Sequence, residues 1–181
     1  MNLDELRFDC AIKQKKGLHI IMASVIIWIA VLCVHLTTLP MLTKNLFTFC
    51  CTAPLLPISY LISKILKIDF QNKKNPLTNL GVLFSVNQII YLLIAMWIYP
   101  TIPEKMLMVI AIIFGAHLMP YSWLYKSKSY FILSIAIPIV SLIVGLKFET
   151  HILAIVMICI EVLFSVLLSY EVKKLKRQDE I

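Results

Sequence analysis

The sequence predicts an all-α integral membrane protein, a bundle of six transmembrane helices with both termini cytoplasmic. Three observations carry that expectation. The 181 residues are 60% hydrophobic and 15% charged, with a mean hydropathy of +0.89, an apolar content well above that of a water-soluble domain. The apolar residues gather into six long runs separated by short polar or proline-bearing segments. The Lys and Arg residues outside the runs alternate between rich and poor segments. Fourteen fall in the head, the second-to-third loop, the fourth-to-fifth turn and the tail, against three, Lys44, Lys105 and Lys147, on the other side. Such an excess marks the cytoplasmic flank of a membrane protein.

Residues 1–17 read as an amphipathic cytoplasmic segment, because Asn2 followed by Glu5 has the pattern of a capping box and Leu3, Leu6 and Cys10 recur at helical spacing. The transmembrane domain is expected over residues 18–170. Its first span, 18–39, holds no charge apart from its histidines and is long enough to cross ~30 Å of hydrocarbon. The second, 46–63, carries Pro54 and Pro57, which free the carbonyls of Cys50 and Ala53 and should bend or unwind it. A polar loop follows. The third span, 80–99, has Asn87, Gln88 and Tyr91 at its middle, and Pro100 and Pro103 mark a turn into the fourth, 106–125. There Pro120 leaves the carbonyl of Ala116 without a helical partner beside the imidazole of His117. The fifth, 130–146, contains Pro138; the sixth, 152–170, has Glu161 at its midpoint; residues 171–181 form a basic cytoplasmic tail, a helix end that passes into disorder.

Glu161 is the strongest candidate for chemistry, since a charged carboxylate near the bilayer centre costs at least a few kcal/mol and requires a partner or a proton. His117 and Gln88 fall at nearly the same depth on other helices, so the three are expected to share one site. Asn87, Tyr121 and Ser165 join them as candidate ligand- or proton-binding residues. Glu161, Ser165 and Ser169 recur every fourth residue, as do His117, Tyr121 and Tyr125, and two such stripes could line a half-channel. The competing reading is that these groups only join helices, each worth about 1 kcal/mol. Ser24, Trp28 and His35 share a face of the first span, with His35 near enough to the outer surface to be solvated.

The sequence lacks GxSxG, HExxH and a glycine-rich phosphate loop, and its five cysteines show no metal spacing. No metal or cofactor is expected. The scattered basic residues make no face for nucleic acid, so the expected partners are the lipid bilayer of the cell membrane and a small ligand or ion. The head 3–16, the stretch Gly17-Leu18-His19-Ile20-Ile21-Met22-Ala23-Ser24 with Trp28, and Gly115-Ala116-His117-Leu118-Met119-Pro120-Tyr121 with Trp123 resemble a family of small bacterial multi-pass membrane proteins with a domain of unknown function. That resemblance implies no activity. Energy-coupling vitamin-transporter subunits have similar length and helix number, but their small-residue docking motif is not evident here. The expectation is a small transporter or permease-like module with a midplane site for a proton, cation or small polar ligand. A sensor, immunity or accessory subunit is the alternative, and an intramembrane enzyme using His117 and Glu161 is a third class.

Overall fold

Asn2 starts the first helix, α1 (Leu3–Lys13), through a reciprocal cap: its side chain accepts from the Glu5 N–H at 2.9 Å, while the Glu5 carboxylate accepts from the Asn2 N–H at 3.0 Å. The computed structural model describes residues 2–179, and no strand occurs among them. A left-handed run, Lys15, Lys16 and Gly17, then turns the chain into α2 (Leu18–His35). Gly17 is required there twice over. Its φ is +70°, and a Cβ would lie 3.0 Å from the Tyr130 hydroxyl.

The second span is two helices, α3 (Met41–Thr52) and α4 (Leu55–Ile65), broken at Pro54 as the missing N–H predicts. The Cys50 carbonyl that Pro54 cannot serve takes the Ala53 N–H instead, at 3.3 Å. The third span, α5 (Leu77–Thr101), continues through Pro100, and the turn comes later, at Ile102 and Pro103. The fourth divides into α6 (Met106–His117) and α7 (Met119–Leu124). Then come α8 (Lys128–Lys147), which runs unbroken through Pro138, and α9 (Thr150–Asp179). The first span ends at His35, four residues before the expected limit, because Pro40 begins α3. The basic tail continues the last helix; Glu180 and Ile181 lie outside the described residues.

Among the described residues six segments are long and apolar enough to cross a membrane: Lys15–His35, Met41–Ile65, Leu77–Thr101, Pro103–Leu124, Lys128–Lys147 and Thr150–Leu175. The closest pairings are α2 with α9 and α6 with α8. Gly115 permits the second, since a Cβ there would sit 2.6 Å from both the Pro138 ring and Ile137 Cγ2. Neither neighbour is a flexible chain end, so Gly115→Ala should lower stability by about 1–3 kcal/mol, measured by thermal unfolding in detergent. Side-chain bonds hold each end of the bundle. At one end α1, the 68–76 loop, the 126–129 turn and the far end of α9 converge; at the other, Lys44 and Lys105 donate to the carbonyls of His35 and Gly145 at 3.1 and 2.8 Å.

Asp9 docks the head on the loop, accepting from the Asn72 and Asn75 amides at 2.9 and 2.8 Å and pairing with Lys13 at 2.5 Å. Burial pushes its carboxyl up, but the bonds from Asn72, Lys13 and Asn75 outweigh that and hold it below the ordinary 3.8. A depressed acid stabilises the fold above its unfolded value and stops doing so as pH falls through the folded one. Acidification below about 3.8 should therefore loosen the head from the loop, seen as faster amide exchange in residues 3–13, and Asp9→Ala should do the same at neutral pH.

Candidate functional site

Glu161 is wholly buried where α9 crosses α2. Its Oε2 meets the Ser24 hydroxyl, which also lies 2.8 Å from the Ile21 carbonyl; its Oε1 has no hydrogen-bond partner among the described residues. A hydroxyl has one proton. If Ser24 gives that proton to Ile21, the contact with Glu161 is a hydrogen bond only when the carboxyl carries a proton of its own. Met157, Phe164 and Leu168 of the same helix are also fully buried.

Ser24 is also part of the wall of a central cavity of about 320 Å³ lined by α2, α3, α4, α5, α6, α7 and Tyr130 of α8. His117 and Tyr121 line it from the fourth span, and Gln88 from the third. The break after His117 explains the ring's position. Leu118 N–H bonds Gly115 at 3.1 Å in a tightened turn, which releases the Phe114 carbonyl, and His117 Nδ1 donates to that oxygen at 2.5 Å. In the neutral ring Nε2 keeps its lone pair. Tyr121 donates to the Gly81 carbonyl at 2.9 Å and contacts the Ser85 hydroxyl at 2.6 Å, which ties α7 to α5.

The half-buried Gln88 amide forms no hydrogen bond with the described residues, although it faces a cavity inside an apolar bundle. The remaining wall is mostly apolar or aromatic, including Trp28, Phe114, Tyr125 and Tyr130, and includes no Lys, Arg, Asp or Glu. His117, Gln88 and Tyr121 thus share one space, while Glu161 stands outside its wall, with Ser24 between.

Two other predicted residues lie elsewhere. Asn87 is exposed on the outer face of α5 and donates to the Tyr91 hydroxyl at 2.9 Å. Ser165 donates to the Glu161 carbonyl at 2.9 Å and lines an outer groove between α2 and α9, with Ser169 beside it. The serine stripe of α9 therefore does not line the same space as the tyrosines.

Sequence reasoning passed over several polar groups. Ser24 was read only as part of a face, though a hydroxyl in a charge-free span signals a partner. Glu171, assigned to the tail, accepts from Lys16 Nζ and the Ser127 and Ser129 hydroxyls at 2.6–2.7 Å. His35 is buried rather than solvated: Thr48 and Thr150 hydroxyls meet its two ring nitrogens at 3.1 and 2.9 Å. Among the described residues no three His, Cys, Asp or Glu side chains gather as a metal would need. The five cysteines are free thiols.

Comparison with curated proteins and with solved structures yields no match. A family model, by contrast, matches residues 3–171, from the head helix to the acid that holds Lys16, and the chain accordingly belongs to the family of unknown function DUF7010.

Proposed function

We propose that this is a small carrier or permease-like module of the cell membrane, with both termini cytoplasmic, that holds a small ligand in its central cavity and exchanges a proton at Glu161 through Ser24. One observation carries the reading: an unpartnered Gln88 amide and the His117 ring face a cavity whose wall has a buried acid one hydroxyl behind it. Buried acids inside membrane segments are expensive, and proton relays are among the uses that retain them. The fourteen basic residues at the end shared by the head and tail support the orientation.

The test is proton entry into vesicles containing trapped pyranine, with potassium and valinomycin to balance charge. Wild-type protein should admit protons faster than protein-free vesicles, and Glu161→Gln, which keeps size and one acceptor, should return the rate to that of empty vesicles while retaining the wild-type melting temperature. Equal rates for wild type and Glu161→Gln would reject the proton-carrying role.

A further inference from the structure

The cavity is closed toward both aqueous ends and open at its side. Toward the head, Tyr125 and Tyr130 lie across it; the Tyr125 hydroxyl donates to Gln14 and that of Tyr130 to the Lys16 carbonyl, at 2.9 and 3.0 Å. Below them Lys16 pairs with Glu171. At the opposite end Phe49 packs on Ala95, Met106 and Ile110, Asn45 donates to the Pro103 carbonyl at 2.8 Å, and His35 ties α2 to α3 and α9. The side between α4 and α5 is different. These helices make little contact, and α5 has Ala95 as its single fully buried residue. Four wall residues there, Ala53, Leu56, Ser85 and Ile89, are exposed, with Leu56 at 62% and Ile89 at 64%. The gap begins where Pro54 breaks the second span.

The wall also selects for ligand chemistry. It is without charged residues, so an ion would be desolvated with nothing to pair it. Aromatic and branched side chains dominate, and the Gln88 amide supplies both a donor and an acceptor. At about 320 Å³ the space lies at the small end of ligand cavities, which run from roughly 300 Å³ upward.

We propose that the cavity takes up a small neutral amphipath, an aromatic or branched hydrocarbon body with one hydrogen-bonding head, directly from the hydrocarbon through the gap between α4 and α5, with Gln88 binding the head. This rests on the carrier reading and adds to it the ligand class and the route. A molecule of this kind concentrates in the bilayer, so a sideways opening meets it where it is most abundant. It never has to pass the polar closures at either end.

Trp28 provides the reporter. It lines the cavity and is 5% exposed, whereas Trp97 and Trp123 are 65% and 43% exposed. In a Trp97→Phe, Trp123→Phe background reconstituted in vesicles, 4-bromobenzyl alcohol should quench Trp28 saturably, because bromine quenches on contact. Leu56→Phe with Ile89→Phe, which narrows the gap from exposed positions, should slow the onset on the order of tenfold and leave the saturated amplitude unchanged. Ile143→Phe, an exposed site on α8, should not slow it. Gln88→Leu should raise the half-saturating concentration about threefold or more, the loss of one hydrogen bond.

Unsaturable quenching would overturn the site. Saturable quenching with unchanged onset in the Leu56 and Ile89 variant would overturn the sideways route, and an unchanged half-saturation in Gln88→Leu would overturn the head-group assignment. None of these outcomes decides the proton assay, which contains no alcohol, so the carrier reading stands or falls separately.

Discussion

Glu171→Ala is expected to destabilise the protein by about 3–5 kcal/mol, the cost of leaving one partner of a buried ion pair alone. The carboxylate accepts from Lys16 Nζ at 2.7 Å, from the Ser127 and Ser129 hydroxyls at 2.7 and 2.6 Å, and from the Ser129 N–H at 3.0 Å. Lys16 has 6% of its side chain exposed and, among the described residues, retains only the Lys126 carbonyl, at 3.3 Å, once the acid is removed. The charge would then be largely buried with no anion beside it among the described residues. Lys16→Met combined with Glu171→Leu should recover most of the loss, since neither charge remains. Unfolding by denaturing detergent, monitored by circular dichroism, measures both. A single-variant loss within about 1 kcal/mol of wild type would mean that water replaces the acid and the pair behaves as a surface one.

Ser24→Ala should cost about 1–3 kcal/mol, because it strips the buried carboxyl of its one side-chain partner. Glu161 Oε1 already lacks a partner, so the variant would orphan both oxygens. Adding Glu161→Leu should restore stability, since an apolar side chain has no hydrogen bond to lose. The coupling between the two positions is the quantity of interest. Costs that simply add in the double variant would show that hydroxyl and acid are energetically independent, against the proton route drawn through Ser24. Stability and proton entry then separate two roles: Glu161→Leu should fold as well as wild type and still fail to admit protons into vesicles.

Much of the architecture was legible in local composition. The Asn2 and Glu5 cap, the break at Pro54 and the interruption beside His117 are properties of a few neighbouring residues, and they occur where those residues stand. Pro100 was misplaced as a turn because one lost bond can kink a helix without ending it; α5 runs on to Thr101 and the chain leaves the helix only at Ile102. His35 was read as solvated from depth alone. What depth cannot reveal is that Thr48 and Thr150 come from two other helices to meet it.

The site divides the same way. Residue spacing located Glu161, His117 and Gln88 along their helices but carried no information about the rotation of each helix around its axis. That rotation directs Gln88 into the cavity and its neighbour Asn87 outward, and it puts Ser165 in an outer groove.

By itself the sequence determined six apolar spans, their proline breaks and the gathering of basic charge at one end, because each follows from the length and chemistry of contiguous residues. Only the tertiary structure decided that Glu161 meets Ser24 rather than His117, that Lys16 finds Glu171, and that the cavity opens between α4 and α5. Those outcomes depend on how side chains from distant segments interlock, and in a bundle of uniformly apolar helices the packing of shapes, not the pattern of hydrophobicity, sets which faces turn inward.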